Sequence, residues 1–329
     1  MTAPAVCAVV LNWNGGEATR TCLDSLAAAD YSNLSIIVVD NASSDGSADL
    51  LAGNETIDLI RNRTNLGFTG GANTGIRRAV ERGADYVWLL NNDATAGPGV
   101  LGQLVDIAEQ DTRIGLVSPV FYDPDRECVP EFCLARFEPA TRIANQTADP
   151  RIAHAWRERH PEQIVLLGTA LLIRRSLIET IGLLDGRFFA YVEDVDYSLR
   201  STAAGFRNVA APDAIVWHRF KRPVENPGGV PPYLHYYISR NYLLLWRKLP
   251  GRVFTSKAML WFLRDRLLQL SRMTGDAAAR DALLAGIWDG VRGVGGPYDP
   301  ARRMPAVARF LLARRPGIWI NLMDGRALR

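Results

Sequence analysis

Residues Val87-Trp88-Leu89-Leu90-Asn91-Asn92-Asp93 decide the fold. Four apolar residues run straight into two amides and a carboxylate. A short, continuous apolar run that ends abruptly in polar residues predicts a strand covered on both faces, as in a parallel sheet. In open α/β sheets, ligands bind outside the carboxyl ends of the strands. A carboxylate there has two readings. Asp93 holds a hard cation, which takes oxygen ligands and shares them with phosphates, or it shapes a turn with Asn91 and Asn92.

Outward from this strand, the first 120 residues alternate apolar runs with amphipathic stretches. Strands are expected at Ala5–Leu11, Leu34–Asp40, Ile57–Arg61 and Asp85–Leu90. Helices are expected at Glu17–Ala29, Ser47–Ala52, Ala72–Gly83 and Val100–Gln110. Ser44 is the expected cap of the second helix, and Gly83 the stop of the third. The alternation implies βαβ units and a parallel sheet. Beyond Ile114 the pattern is mixed. It gives a buried strand over Val165–Arg174, short helices over Ser176–Ile181 and Val195–Ala204, and a late strand at Ala214–Trp217. Pro223–Pro232 (P-V-E-N-P-G-G-V-P-P) is incompatible with regular structure and marks a loop or boundary. Helical stretches follow over Tyr233–Lys248, Ser256–Met273 and Asp276–Trp288, and a second loop over Gly290–Pro300.

A chain of 329 residues, 48% hydrophobic and 22% charged, is ordinary globular material. No run reaches the ~18 apolar residues of a membrane-spanning helix. The start, Met1-Thr2-Ala3-Pro4-Ala5, lacks the basic opening of a signal peptide, so cytoplasmic residence is expected. Cys7 and Cys22 fall on apolar faces and read as core. Cys128 and Cys133 leave pairing or metal binding open, without any C-x-x-C spacing. The net charge of +3 hides an asymmetry. From Arg240 onward there are 17 Lys and Arg against 6 Asp, so that stretch carries +11 and the rest −8. Such a basic region suggests an anionic partner surface. No nucleic-acid partner is expected.

Several polar clusters lie at expected strand ends. Asp40 closes V-V-D-N-A-S-S-D-G-S, where an ionised acceptor binds a base N–H or a ribose hydroxyl strongly; Asp45 within it reads as turn and helix-entry chemistry. Asn12 and Asn14 in L-N-W-N-G-G either contact a nucleobase or shape the turn. Asn65 to Gly75 (N-L-G-F-T-G-G-A-N-T-G) is a glycine-rich entry to a helix, where backbone can approach an anion. Its spacing matches neither a Walker loop nor G-x-G-x-x-G. In F-F-A-Y-V-E-D-V-D-Y, Glu193, Asp194 and Asp196 crowd among apolar residues. Mutual repulsion and desolvation raise carboxyl pKa values, which suits a general base; the alternative is a helix start with acids in its first turn. His218, ending A-I-V-W-H, is a packing residue or, beside Asp93, a metal ligand better suited to manganese than magnesium.

Taken in order, V-V-L-N-W-N-G, V-V-D-N-A-S-S-D-G-S, N-L-G-F-T-G-G-A-N-T-G, L-L-N-N-D, Y-V-E-D-V-D-Y-S-L-R, W-H and the helix Y-Y-I-S-R-N-Y resemble an inverting family 2 glycosyltransferase. The resemblance spans Val6 to Asn241 and is nearest to rhamnosyltransferase-like enzymes of bacterial polysaccharide and glycoconjugate assembly. It implies the GT-A fold, a Rossmann-like α/β architecture with a mostly parallel central sheet flanked by helices. A catalytic domain over 1–222 would divide into a nucleotide-sugar half, 1–120, and an acceptor and base half, 121–222. A basic, mainly helical C-terminal region over 223–329 would follow.

The resemblance also implies roles. Asp40 would bind the nucleobase, with Asn12 and Asn14 alongside, and Asn65, Gly71, Asn73, Asn91 and Asn92 would line the nucleotide-sugar site. Asp93 would hold Mg²⁺ or Mn²⁺ on the diphosphate, completed by His218. Asp194 would be the base, supported by Glu193 and Asp196. Gly168 and Thr169 would border the sugar, and Arg240 would reach the diphosphate or acceptor. The donor would be a dTDP- or UDP-linked sugar, dTDP-rhamnose among them. The acceptor would be a carbohydrate, a lipid-linked sugar or a small molecule. One departure is the single carboxylate of N-N-D, which predicts weak metal binding without the substrate diphosphate. The basic region would touch the inner membrane face, or pair locally, or mediate a homodimer. Two rivals remain. A sugar-nucleotidyltransferase needs a more basic glycine-rich loop than Gly15-Gly16-Glu17; a non-catalytic carbohydrate-binding protein would explain the N-N-D departure.

Overall fold

The computed structural model describes residues 2–126, 129–218, 229–250, 257–273, 275–306 and 309–310. Cys128 and much of the expected loop Pro223–Pro232 lie outside them, while Cys133 is buried. The chain divides into two compact units. The first comprises Met1–Phe137, Ala144–Asp185 and Glu193–Phe220; the second comprises Glu138–Ile143, Gly186–Val192 and Lys221–Arg329.

The first unit opens with β1 (Val6–Asn12), α1 (Gly16–Ala27), β2 (Leu34–Asp40), α2 (Ser47–Ala52), β3 (Asp58–Arg61), α3 (Gly67–Glu81) and β4 (Tyr86–Asn91). Next come β5 (Ala94–Ala96), α4 (Val100–Glu109), β6 (Ile114–Tyr122), β7 (Pro130–Phe132), β8 (Leu134–Glu138), β9 (Ile143–Thr147) and α5 (Pro150–Arg159). The last elements are β10 (Ile164–Val165), β11 (Ala170–Arg174), α6 (Arg175–Ile181), α7 (Glu193–Ala203) and β12 (Arg207–His218).

Among the described residues, a nine-stranded sheet runs β3-β2-β1-β4-β11-β6-β12-β5, with β7 beside β6. β3, β2, β1 and β4 are parallel, and β11 enters antiparallel between β4 and β6. Residues 6–10 and 86–90 are all buried, which is why their sequences are unbroken apolar runs rather than alternating ones. Val9, Ile37, Val39, Leu89 and Ile173 join one core with Ala72 and Ile76 of α3.

The expected strand Val165–Arg174 is two strands. β10 pairs with β8 in a separate sheet and β11 joins the large sheet, so Leu166–Thr169 is the crossing between them. The late strand is longer than expected, because its register shifts between Ala211 and Ile215 and resumes beyond Pro212. α3 begins at Gly67, not Ala72. Its glycines serve packing: a Cβ on Gly71 would lie 2.3 Å from Leu11 Cδ1, and one on Gly75 would lie 2.2 Å from Val9 Cγ1. Asp45 rather than Ser44 receives the Ser47 N–H at the start of α2, at 3.0 Å.

The second unit contains α8 (Pro232–Lys248), α9 (Lys257–Arg272) and α10 (Ala277–Arg292). α10 runs four residues beyond its expected end at Trp288, and Gly290 within it lies against Leu243 and the Arg240 carbonyl where a side chain would collide. Tyr236, Tyr237, Ala282 and Ala285 form its apolar centre, joined by Phe189 and Tyr298. No described helix is long and apolar enough to cross a membrane.

Candidate active site

Parallel register brings the polar strand ends together. Asn12 lies opposite Asp40, and Leu11 opposite Asn91. Asn12 is fully buried. Its amide donates to Asp40 Oδ1 at 2.8 Å, Ser47 Oγ at 2.9 Å and Ser43 Oγ at 3.1 Å, while its Oδ1 accepts from Thr19 at 2.7 Å. Asn92 donates to Thr19 Oγ1 at 2.9 Å, so one hydrogen-bonded chain links Asp40 to the N-N-D turn. Asn12, expected beside a nucleobase, therefore has no surface to offer one and instead orients Asp40. Asn14 is exposed at φ +51°, and its Oδ1 receives the Ser44 N–H at 2.8 Å.

The glycine-rich segment divides differently from its expected role. Asn65 Oδ1 accepts from Gly67 N at 2.8 Å and from Asn41 Nδ2 at 3.0 Å, which holds the α3 entry beside β2. Asn73 is buried and clamps Leu184 in both directions, at 2.8 and 3.0 Å. Gly71 is packed on Leu11. Neither Gly71 nor Asn73 thus presents a polar group to a ligand; both set the spacing of α3 on the sheet.

β4 ends where β11 begins. Asn91 N donates to Thr169 O at 2.8 Å, and the neighbouring Gly168 N donates to Asp194 Oδ2 at 3.3 Å. Gly168 and Thr169 thereby bridge the N-N-D turn to the first turn of α7. Burial raises the Asp194 pKa, opposed by the N–H groups of Val195 and Gly168. Burial raises Glu193 well above the carboxylate range, and the Asp194 charge adds to it. Glu193 Oε2 is buried without a hydrogen-bond partner. Asp196 has a different environment: Arg200 pairs with it at 2.9 Å and also donates to the carbonyls of Ile181 and Leu183.

β5 pairs antiparallel with the end of β12, placing His218 opposite Ala94. His218 Nε2 consequently lies 3.2 Å from Asp93 Oδ1. His218 is largely buried, whereas the Asp93 side chain is 46% exposed. Among the described residues, no group of three or more His, Cys, Asp or Glu gathers around a common point. A carboxylate oxygen and an imidazole nitrogen this close are donor types that fit a divalent cation.

Residues 7–182 match the family described as Glycosyl transferase family 2. The chain belongs to glycosyl transferase family 2. This glycosyltransferase is 29% identical, over 64% of its length and 74% of the relative's, to an N-acetylglucosaminyl-diphospho-decaprenol L-rhamnosyltransferase of Mycobacterium tuberculosis. It is 24% identical to the dTDP-rhamnosyl transferase RfbF of Shigella flexneri, over 81% of this chain and 90% of that one. The mannosyltransferase PcManGT from Pyrobaculum calidifontis, solved in complex with GDP-Man and Mn²⁺, shares the GT-A fold. Its TM-score is 0.55 and its identity 17%, over 98% of this chain and 86% of that chain.

Arg240 and Thr19 stand apart from the sequence reading. Arg240 is fully buried in the second unit, with its guanidinium turned to backbone carbonyls, so the expected reach to a diphosphate is not available to it. Thr19 joins Asn12 to Asn92, and its signal in the sequence is a hydroxyl on the buried face of α1.

Proposed function

We propose that this glycosyltransferase moves a deoxyhexose, as dTDP-rhamnose, to a hydroxyl of a diphospholipid-linked sugar, inverting the anomeric centre. The observation that carries the mechanism is the continuous rim that runs from Asp40 through Asn12, Thr19 and Asn92, and from Asn91 through Thr169 and Gly168 to Asp194. The named relatives support the choice of donor and acceptor.

Asp40, oriented by Asn12, accepts from the nucleobase. Asp93 and His218 would hold Mg²⁺ or Mn²⁺, which would supply Lewis-acid stabilisation of the departing charge. Asp194 takes the proton from the acceptor hydroxyl. The acceptor oxygen forms its bond to the anomeric carbon, the bond from that carbon to the diphosphate oxygen breaks, and the electron pair leaves with the nucleoside diphosphate. Burial and the neighbouring Asp194 charge favour the protonated form of Glu193.

The basic C-terminal region completes the proposal by meeting an anionic membrane that carries the acceptor. Exposed Trp261 on α9, with the Arg264 guanidinium 5.6 Å from its ring centroid, supports that contact.

A panel of nucleotide-sugars tests the reading, scored by thermal stabilisation and by transfer to a prenyl-diphosphate-linked N-acetylglucosamine. The expected result is stabilisation and turnover with dTDP-rhamnose, release of dTDP, and co-sedimentation with anionic vesicles that high salt abolishes. Release of pyrophosphate, or no consumption of any nucleotide-sugar, contradicts it.

A further inference from the structure

The segment Gly186–Val192 of the second unit leads directly into Glu193 and Asp194. Three of its non-glycine residues adopt positive φ: Phe189 at 64°, Tyr191 at 70° and Val192 at 70°. Such conformations are sparse for non-glycine residues and unusual for a β-branched one. Such strain persists only where surroundings over-determine it.

Two consecutive residues of α8 supply the determination. Asn241 is fully buried, and its Nδ2 donates to the carbonyls of Ala190 and Tyr191 at 2.7 Å and of Phe188 at 3.1 Å. Arg240 Nε donates to Asn241 Oδ1 at 2.8 Å, which fixes the amide with its nitrogen toward the loop. Arg240 Nη2 donates to Phe188 O at 2.6 Å and Arg187 O at 3.3 Å; Nη1 donates to Gly296 O and, at 3.5 Å, to Tyr236 Oη. A guanidinium has five N–H donors, and all five are engaged. Arg240 also lies over the rings of Tyr236 and Tyr237, at 5.1 and 5.0 Å. The Tyr237 ring in turn stacks on Phe189 at 5.6 Å. Asp289 offsets the buried charge through Tyr236 Oη, at 2.7 Å.

Of the four consecutive carbonyls Phe188 to Tyr191, three accept from Asn241 or Arg240. We infer that Arg240 and Asn241 are positioning residues for the general base: they lock the strained loop so that the chain enters α7 with Asp194 in its reactive place. The inference rests on the reading of Asp194 as base. It assigns the R-N pair of Y-Y-I-S-R-N-Y to the catalytic step instead of to donor binding. Neither side chain touches substrate; both act through the backbone that carries Asp194.

Asn241→Asp tests it, because the change is isosteric and turns the donor that faces the carbonyls into an acceptor. The readouts are kcat, donor KM, calorimetric affinity for the nucleoside diphosphate, and thermal unfolding, with Asp194→Asn in parallel. A misplaced catalytic group costs about 100-fold in rate, so kcat is expected to fall on that scale. Donor KM and nucleotide affinity stay within about threefold, since the loop belongs to the proton-transfer step. A folded Asn241→Asp enzyme with unchanged kcat, while Asp194→Asn is inactive, overturns the positioning role alone. Donor KM rising in step with the loss of kcat also overturns it. Turnover retained in Asp194→Asn overturns the base assignment instead. If Asn241→Asp does not accumulate as folded protein, Arg240→Lys is scored by the same criteria, because it keeps a cation and loses the fork that reaches Arg187 and Phe188.

Discussion

His218 Nε2 sits 3.2 Å from Asp93 Oδ1 because the register of β12 on β5 sets His218 opposite Ala94, the residue after Asp93. Two ligand types meeting at one open face predict a metal response shared by both residues. Asp93→Ala and His218→Ala are each expected to raise the Mn²⁺ concentration for half-maximal donor binding by at least about tenfold. His218→Ala should also erase any preference for Mn²⁺ over Mg²⁺, since imidazole favours the former. Calorimetric titrations of the donor across both metals measure this, and an unaltered metal dependence in either variant contradicts the shared site.

Burial of Glu193 predicts a slope of stability with pH. Its folded pKa is raised, while the unfolded value is about 4.3. Between the two, the folded chain holds a proton that the unfolded chain releases, so stability falls as pH rises. Glu193→Gln removes that slope. The melting temperature of the wild type is expected to fall relative to the variant as pH rises above about 4, and to run parallel below about pH 4. Scanning calorimetry across this range checks the sign; a wild type that gains on the variant as pH rises refutes the buried, proton-holding Glu193.

Asn12 is linked to Asp40, Ser43, Ser47 and Thr19 by hydrogen bonds within 3.1 Å. Asn12→Ala leaves buried polar partners unsatisfied and should cost about 2–3 kcal/mol in urea unfolding, with nucleotide affinity reduced through Asp40. The neighbouring Trp13 is 56% exposed, and Trp13→Ala should change stability by less than about 0.5 kcal/mol. Equal effects of the two substitutions would show that the buried network is not what orients Asp40.

The parallel part of the sheet was legible because β1, β2 and β4 are buried on both faces and their sequences say so in unbroken apolar runs. The polar ends Asp40, Asn91, Asn92 and Asp93 followed from those boundaries. The start of α3 was not legible. Gly67, Gly70, Gly71 and Gly75 have poor helix propensity; close approach to Leu11 and Val9 explains Gly71 and Gly75, and a positive φ explains Gly67. Insertion of β11 between β4 and β6 is a long-range pairing with no local signal. The role of Arg240 is hidden for a similar reason. A basic residue on a helix suggests solvent or an anion, and its true partners are the carbonyls of Arg187, Phe188 and Gly296, distant in the chain.

Asp194 carries the central claim, and one substitution addresses it. Asp194→Asn keeps the side-chain shape and its place at the Gly168 N–H, which lies 3.3 Å from Oδ2, but removes the ionising carboxyl. Single-turnover transfer from a labelled nucleotide-sugar, measured beside calorimetric donor binding, is the decisive experiment. Donor affinity within about threefold of wild type and transfer slower by about 10²–10⁴-fold is the predicted result; transfer at the wild-type rate from that folded variant contradicts the account.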